Sequence, residues 1–177
     1  MSQLKVNSII PVAGVPTGGG GGIIQIKQVV KTDTFSTSSS SLVDVTGLSV
    51  AITPTSSTSK VLVQVNLGMV SGDQVAYAGF KLLRGSTAIG LGTSASGSRV
   101  NVSFVANHNR DSDWNSEGGV FYQFLDSPAT TSETTYKLQV FSGYLSKTID
   151  INRSHPDDDG GYNQRPISSI TVMEVSA

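Results

Sequence analysis

The sequence contains no cysteine, so a disulfide framework and a thiolate metal site are both excluded. Charge is scarce: 14% of the residues are Asp, Glu, Lys or Arg, against about 25% in an average soluble domain. The 12 basic and 13 acidic residues nearly cancel, for a net charge of −1. The basic residues are scattered, and no stripe of them is available to neutralise a phosphate backbone, which argues against a nucleic-acid partner. No run reaches the about 18 apolar residues of a membrane span. The opening residues Met1, Ser2, Gln3, Leu4, Lys5 and Val6 lack the basic start and long apolar core of a signal peptide. The expectation is a product made and kept soluble in a cytoplasm, without membrane insertion, that leaves only by a route such as lysis. Segments with a 3.6-residue apolar repeat are absent too, which excludes a helical fold.

Ser, Thr, Gly and Asn take the place of charge, a composition of strands and turns. The 177 residues suit one domain plus an arm. From Ile23 onward the apolar residues alternate. The cleanest stretch is 60–70, with Val61, Val63, Val65, Leu67 and Met69 on one face and Leu62, Gln64, Asn66 and Gly68 on the other. Similar alternation covers 23–31, 42–46, 48–53 (after Gly47), 76–84, 99–105, 119–125 and 134–141. Shorter apolar pieces fall at 87–91, 147–151 and 167–175. The serine-rich run 34–41 suits an exposed loop or an edge strand. About ten short strands with polar turns predict an all-β, antiparallel β-sandwich of jelly-roll type.

Residues 1–22 differ in texture. A short apolar piece carrying Leu4, Val6, Ile9, Ile10 and Val12 precedes five consecutive glycines, Gly18 to Gly22. Such a piece is too small to build a core, and a solvated tail has no use for it. It is expected to be an anchor on another structure, joined to a head at 23–177 through a glycine hinge. A plain first strand is the other reading.

Candidate chemistry is thin. No nucleophile elbow or phosphate-cradling loop is present. Asp73, Asp111, Asp113, Glu117 and Asp126 are carboxylates without a diagnostic spacing for glycoside hydrolysis. His108 and His155 are predicted to be solvated loop residues, and Asp157, Asp158 and Asp159 a solvated acidic turn in which calcium is the alternative. No cofactor, metal or catalytic residue is expected. The one tryptophan, Trp114, stands among Asn109, Asp111, Asp113 and Asn115. An aromatic ring among amides and carboxylates suits stacking and hydrogen bonding to a sugar; packing at a domain end or subunit contact is the alternative.

Several phrases carry a resemblance. They are the stretch from Leu4 to Pro11, Val30-Lys31-Thr32-Asp33-Thr34-Phe35-Ser36, the stretch from Val43 to Pro54, Ser59-Lys60-Val61-Leu62-Val63, Leu82-Leu83-Arg84-Gly85, Phe124-Leu125-Asp126-Ser127-Pro128, and the closing stretch from Ser168 to Val175. Together they make the chain resemble small virion proteins of tailed phages, especially marine and cyanobacterial ones. The resemblance implies a jelly-roll-like sandwich in a tail-fibre tip or related appendage, commonly a homotrimer, with no catalytic residues. It implies a virion location, other virion proteins as partners of the arm, and host-surface glycan as the target. A capsid decoration protein and a lectin-like carbohydrate-binding module are the alternatives. The chain lacks shaft repeats and coiled-coil heptads, so a short tether with one globular head is what it offers.

Overall fold

Period-two patterning produces eleven strands among the described residues: β1 (Ile23–Lys31), β2 (Phe35–Thr37), β3 (Val43–Ile52), β4 (Lys60–Gly72), β5 (Tyr77–Arg84), β6 (Thr87–Ile89), β7 (Phe104–Asn107), β8 (Gly118–Asp126), β9 (Thr134–Ser142), β10 (Ile149–Ile151) and β11 (Ser168–Val175). The computed structural model describes residues 22–73, 77–93, 96–107, 118–144, 146–161 and 163–176. The predicted anchor residues Leu4, Val6, Ile9, Ile10 and Val12 lie outside the described residues.

All pairings are antiparallel. In one sheet β1 lies beside β11, β11 beside β4, and β4 beside β8. The short strands β2 and β10 extend the lines of β1 and β11, with β10 pairing the end of β4. In the other sheet β3 lies beside β9, β9 beside β5, and β5 beside both β6 and β7. Merging the short strands into the lines they continue leaves four columns facing four. The chain alternates between the sheets in the manner of two interleaved Greek keys, which is the jelly roll. The serine-rich run supplies β2, whose one sheet neighbour is β10, an edge strand as its composition suggests.

The inner faces close a single core. Val61, Val63, Val65 and Leu67 of β4 are fully buried, as are Phe80 and Leu82 of β5 and Tyr136, Leu138 and Val140 of β9. Two bulges reset the alternation. In β3 the register to β9 jumps between Asp44 and Ser49, with Gly47 at a φ of 85°, a left-handed turn that favours glycine. Val45 and Leu48, on opposite faces of a regular strand, therefore both point inward. In β4 the register to β8 shifts between Leu67 and Val70, so Val70 joins the core cluster where unbroken alternation assigned Met69. The strand expected at 99–105 forms at Phe104–Asn107 instead, because the hydroxyl of Ser103 takes the amide of Leu82 and donates to the carbonyl of Ile89, at 2.9 and 2.8 Å. Stacked rings of Phe80, Phe104 and Tyr122, with centroids 4.8 and 4.7 Å apart, join the two sheets along that edge.

The sandwich has two unlike poles. At one, Gly22 and Ser176 exchange hydrogen bonds, so the last glycine of the run continues the β1–β11 ladder. Gly22, which follows the 1–21 segment in sequence, stands at this pole. Glu174 lies here, fully buried. Its carboxylate accepts from Gln25 Nε2 at 2.7 Å and from the amide and hydroxyl of Thr55 at 2.7 and 2.8 Å. Burial pushes this carboxyl up, but bonds from Gln25, Ser59 and Thr55 outweigh it and hold its pKa at about 2. The unfolded group titrates near 4.5, so its stabilisation is complete above that pH and is lost as pH falls towards 2. Up to about 3 kcal/mol is involved at 1.36 kcal/mol per unit. Urea unfolding at pH 7 and pH 3 should reveal this loss, and Glu174→Gln should flatten the dependence.

Candidate functional site

The outward face of the β1–β11–β4–β8 sheet carries no charge in the three rows that cross its middle. Strand register sorts it into rows. Ile26, Met173, Leu62 and Leu125 stand side by side, one from each strand. The next row is Gln28, Thr171, Gln64 and Gln123, and the third is Val30, Ser169, Asn66 and Phe121. None of these three rows of four holds a charged residue. Four of the six apolar members are well exposed, Phe121 60%, Ile26 55%, Leu125 52% and Val30 46%, and Leu62 and Met173 between them are half-buried. Ile24, also exposed, extends the apolar row at its edge. Lys60 closes the face at the pole where Gly22 stands, and its ammonium donates to the Ser127 hydroxyl at 2.7 Å.

The opposite sheet's outer face has another character. Lys137 donates to Asp44 at 2.8 Å, and Gln139 donates to the same carboxylate at 2.7 Å. These bonds, that from Lys137 foremost, hold the Asp44 carboxyl below its usual range. Both sheets derive from alternating sequences, so the difference lies in what occupies the outward positions. A contiguous exposed patch of five large apolar side chains on one face is unusual for a monomer. Between them stand amides and hydroxyls, which can each donate and accept.

At the far pole a side-chain cluster ties a long loop to the strand ends. His155 Nδ1 lies 2.6 Å from Asp150 Oδ2, and Nε2 lies 3.0 Å from Asp73 Oδ1. Asp150 is fully buried. Its other oxygen lies 3.0 Å from Arg153 Nε, a charge contact without hydrogen-bond geometry. Asp73 also accepts from the Thr148 amide at 2.7 Å. Burial raises the Asp73 carboxyl, but bonds from Thr148 and the nearby His155 ring bring it below the ordinary value. The predicted solvated His155 is thus a half-buried clamp. Its sequence surroundings of Arg, Ser and Pro gave no sign of Asp73, which arrives from β4. Both ring nitrogens are engaged by carboxylates, so the ring fixes the loop.

The remaining candidates separate widely. Asp126 sits at the other pole, paired with Val61 of β4, so Asp73 and Asp126 are roughly 35–40 Å apart along that strand at about 3.3 Å per residue. They cannot act as a carboxylate pair. Asp157 is taken by Arg165 at 2.5 Å and Arg153 at 3.6 Å, and the Asp158 carbonyl accepts from Asn163 at 2.7 Å. Among the described residues no group of three or more His, Asp or Glu side chains is placed to hold a metal ion. His108, Asn109, Asp111, Asp113, Trp114, Asn115 and Glu117 lie outside the described residues. Their flanks, Asn107 and Gly118, pair with Tyr77 and Val70 and stand at the far pole, opposite Gly22. Compared with known proteins, the chain matches no family model and no curated protein.

Proposed function

We propose that the chain is a non-enzymatic structural module of a phage particle, the head of a short tail fibre or related appendage that assembles as a homotrimer and attaches to host-surface glycan. The uncharged rows on the outer face of the β1–β11–β4–β8 sheet carry this reading. Rows that mix apolar side chains with amides and hold no charge can be buried against a neighbouring copy without stranding a charge away from water. Cyclic assembly around that face buries the same residues on every copy. Four strands about 4.8 Å apart and nine residues long give a flat footprint of roughly 550 Å². Side-chain relief raises that towards the roughly 800 Å² per partner of a stable interface.

Polarity along the sandwich supports the attachment role. Gly22, which follows the segment with Leu4, Val6, Ile9, Ile10 and Val12, stands at one pole, and Asn107 and Gly118, which flank the Trp114 segment, stand at the other, so a head held through its first residues presents the second pole outward. Phrases shared with small tailed-phage virion proteins supply the biological setting. The test is incorporation. A chain lacking residues 1–21 keeps Gly22 bonded to Ser176 and should fold and trimerise yet be missing from purified particles. Electron microscopy should place the full chain at the tail; a position on the capsid face would favour decoration, and full incorporation of the truncated chain would refute the anchor.

A further inference from the structure

The outward face of the other sheet holds a hollow of about 250 Å³ that nothing above uses. Gly79 of β5 forms its floor, Phe141 of β9 one wall, Val100 and Val105 the other, with Tyr77 and Ser98 at the rim. The floor depends on glycine: a Cβ at position 79 would stand 2.2 Å from a ring carbon of Phe141, so the ring lies directly over the backbone. Tyr144 packs edge-on against Tyr77 at 5.9 Å and 77°, and the Gly143 amide donates to the Tyr77 carbonyl at 2.7 Å. This side of the hollow is thereby held in place before any ligand arrives.

We infer that this hollow is a binding subsite for one neutral pyranose ring. Among the described residues no Asp, Glu, Lys, Arg or His lines it, which suits a neutral ligand. Its aromatic and valine walls suit the C–H face of a sugar, and the Tyr77 and Ser98 hydroxyls suit the sugar's own. The space equals roughly eight waters at about 30 Å³ each, enough for one ring and too little for two. The hollow faces away from the uncharged sheet, so trimerisation leaves it open on every copy. Three such subsites convert a weak single contact into avidity; the multivalency, though not the subsite, rests on the assembly proposed above.

Saturation-transfer NMR on the full chain with glucose, galactose and N-acetylglucosamine tests the subsite. At least one sugar should receive saturation, with millimolar affinity. Val100→Asp, at an exposed wall position, and Gly79→Ala, which drives the Phe141 ring into the space, should each weaken binding at least about tenfold. Glu133→Gln, at the opposite pole, should leave it unchanged. Absence of transfer to all three sugars overturns the subsite, as does binding that survives both wall variants with their fold intact by circular dichroism. Because free monosaccharide is read one site at a time, a monomeric chain that still binds would sink the trimer and spare the subsite.

Discussion

Placing a carboxylate at Phe121 and an ammonium at Leu125 separately, as Phe121→Asp and Leu125→Lys, should each dissociate the assembly to an 18.5 kDa chain. Both positions are more than half exposed on one subunit, so the fold has no reason to respond. In a cyclic interface each charge recurs on every copy. Removing it from water without a partner costs several kcal/mol per site, so the association constant should fall by at least about 1,000-fold at 1.4 kcal/mol per factor of ten. Sedimentation velocity reads the change directly. The corresponding change on the other outer face, Thr135→Asp, should leave the mass unchanged.

The largest loss of stability is expected from Asp126→Ala. Asp126 is 5% exposed and binds Arg84 through both carboxylate oxygens at 3.0 Å. It also accepts from the Tyr136 hydroxyl at 2.7 Å. Burial, together with this bond and the nearby negative charge, raises the Tyr136 phenol well above its ordinary value. The three side chains come from β5, β8 and β9 and so tie the two sheets together at the pole where Gly22 stands. Truncating the acid strands a guanidinium and a fully buried phenol. Breaking such a pair costs about 3–5 kcal/mol, which chemical denaturation should detect as a lowered midpoint with little change in slope. Tyr136→Phe removes one bond and leaves the charge pair, so it should cost only about 1–2 kcal/mol.

Alternation in the sequence was enough to read the sandwich, because a half-buried strand writes its inner face every second residue. Spacing alone sets Val61, Val63, Val65 and Leu67 on one face of a half-buried strand, and that face is the core. Spacing failed where the backbone slips: Gly47 could be seen as a break, but nothing local says that the phase reverses there, or that Val70 replaces Met69. The Ser103 hydroxyl that delays β7 is likewise a tertiary contact with β5. The outer face was only half legible. Leu62, Gln64 and Asn66 were visible as the uncharged side of one strand, yet their neighbours Met173, Thr171, Ser169, Leu125, Gln123 and Phe121 lie about 60 or 110 residues away in sequence. Strand pairing alone brings the rows together. The His155 clamp escaped in part for the same reason: Asp150 is only 5 residues away in sequence, but Asp73 is 82 residues away.

The mass of the intact chain in dilute solution tests the central claim most directly. Light scattering coupled to size exclusion should return three copies of the 18.5 kDa chain, about 55 kDa, as expected of a closed cyclic assembly. A single species at 18.5 kDa, persisting as concentration rises, would contradict it, because the uncharged sheet would then stand in water with nothing to cover it.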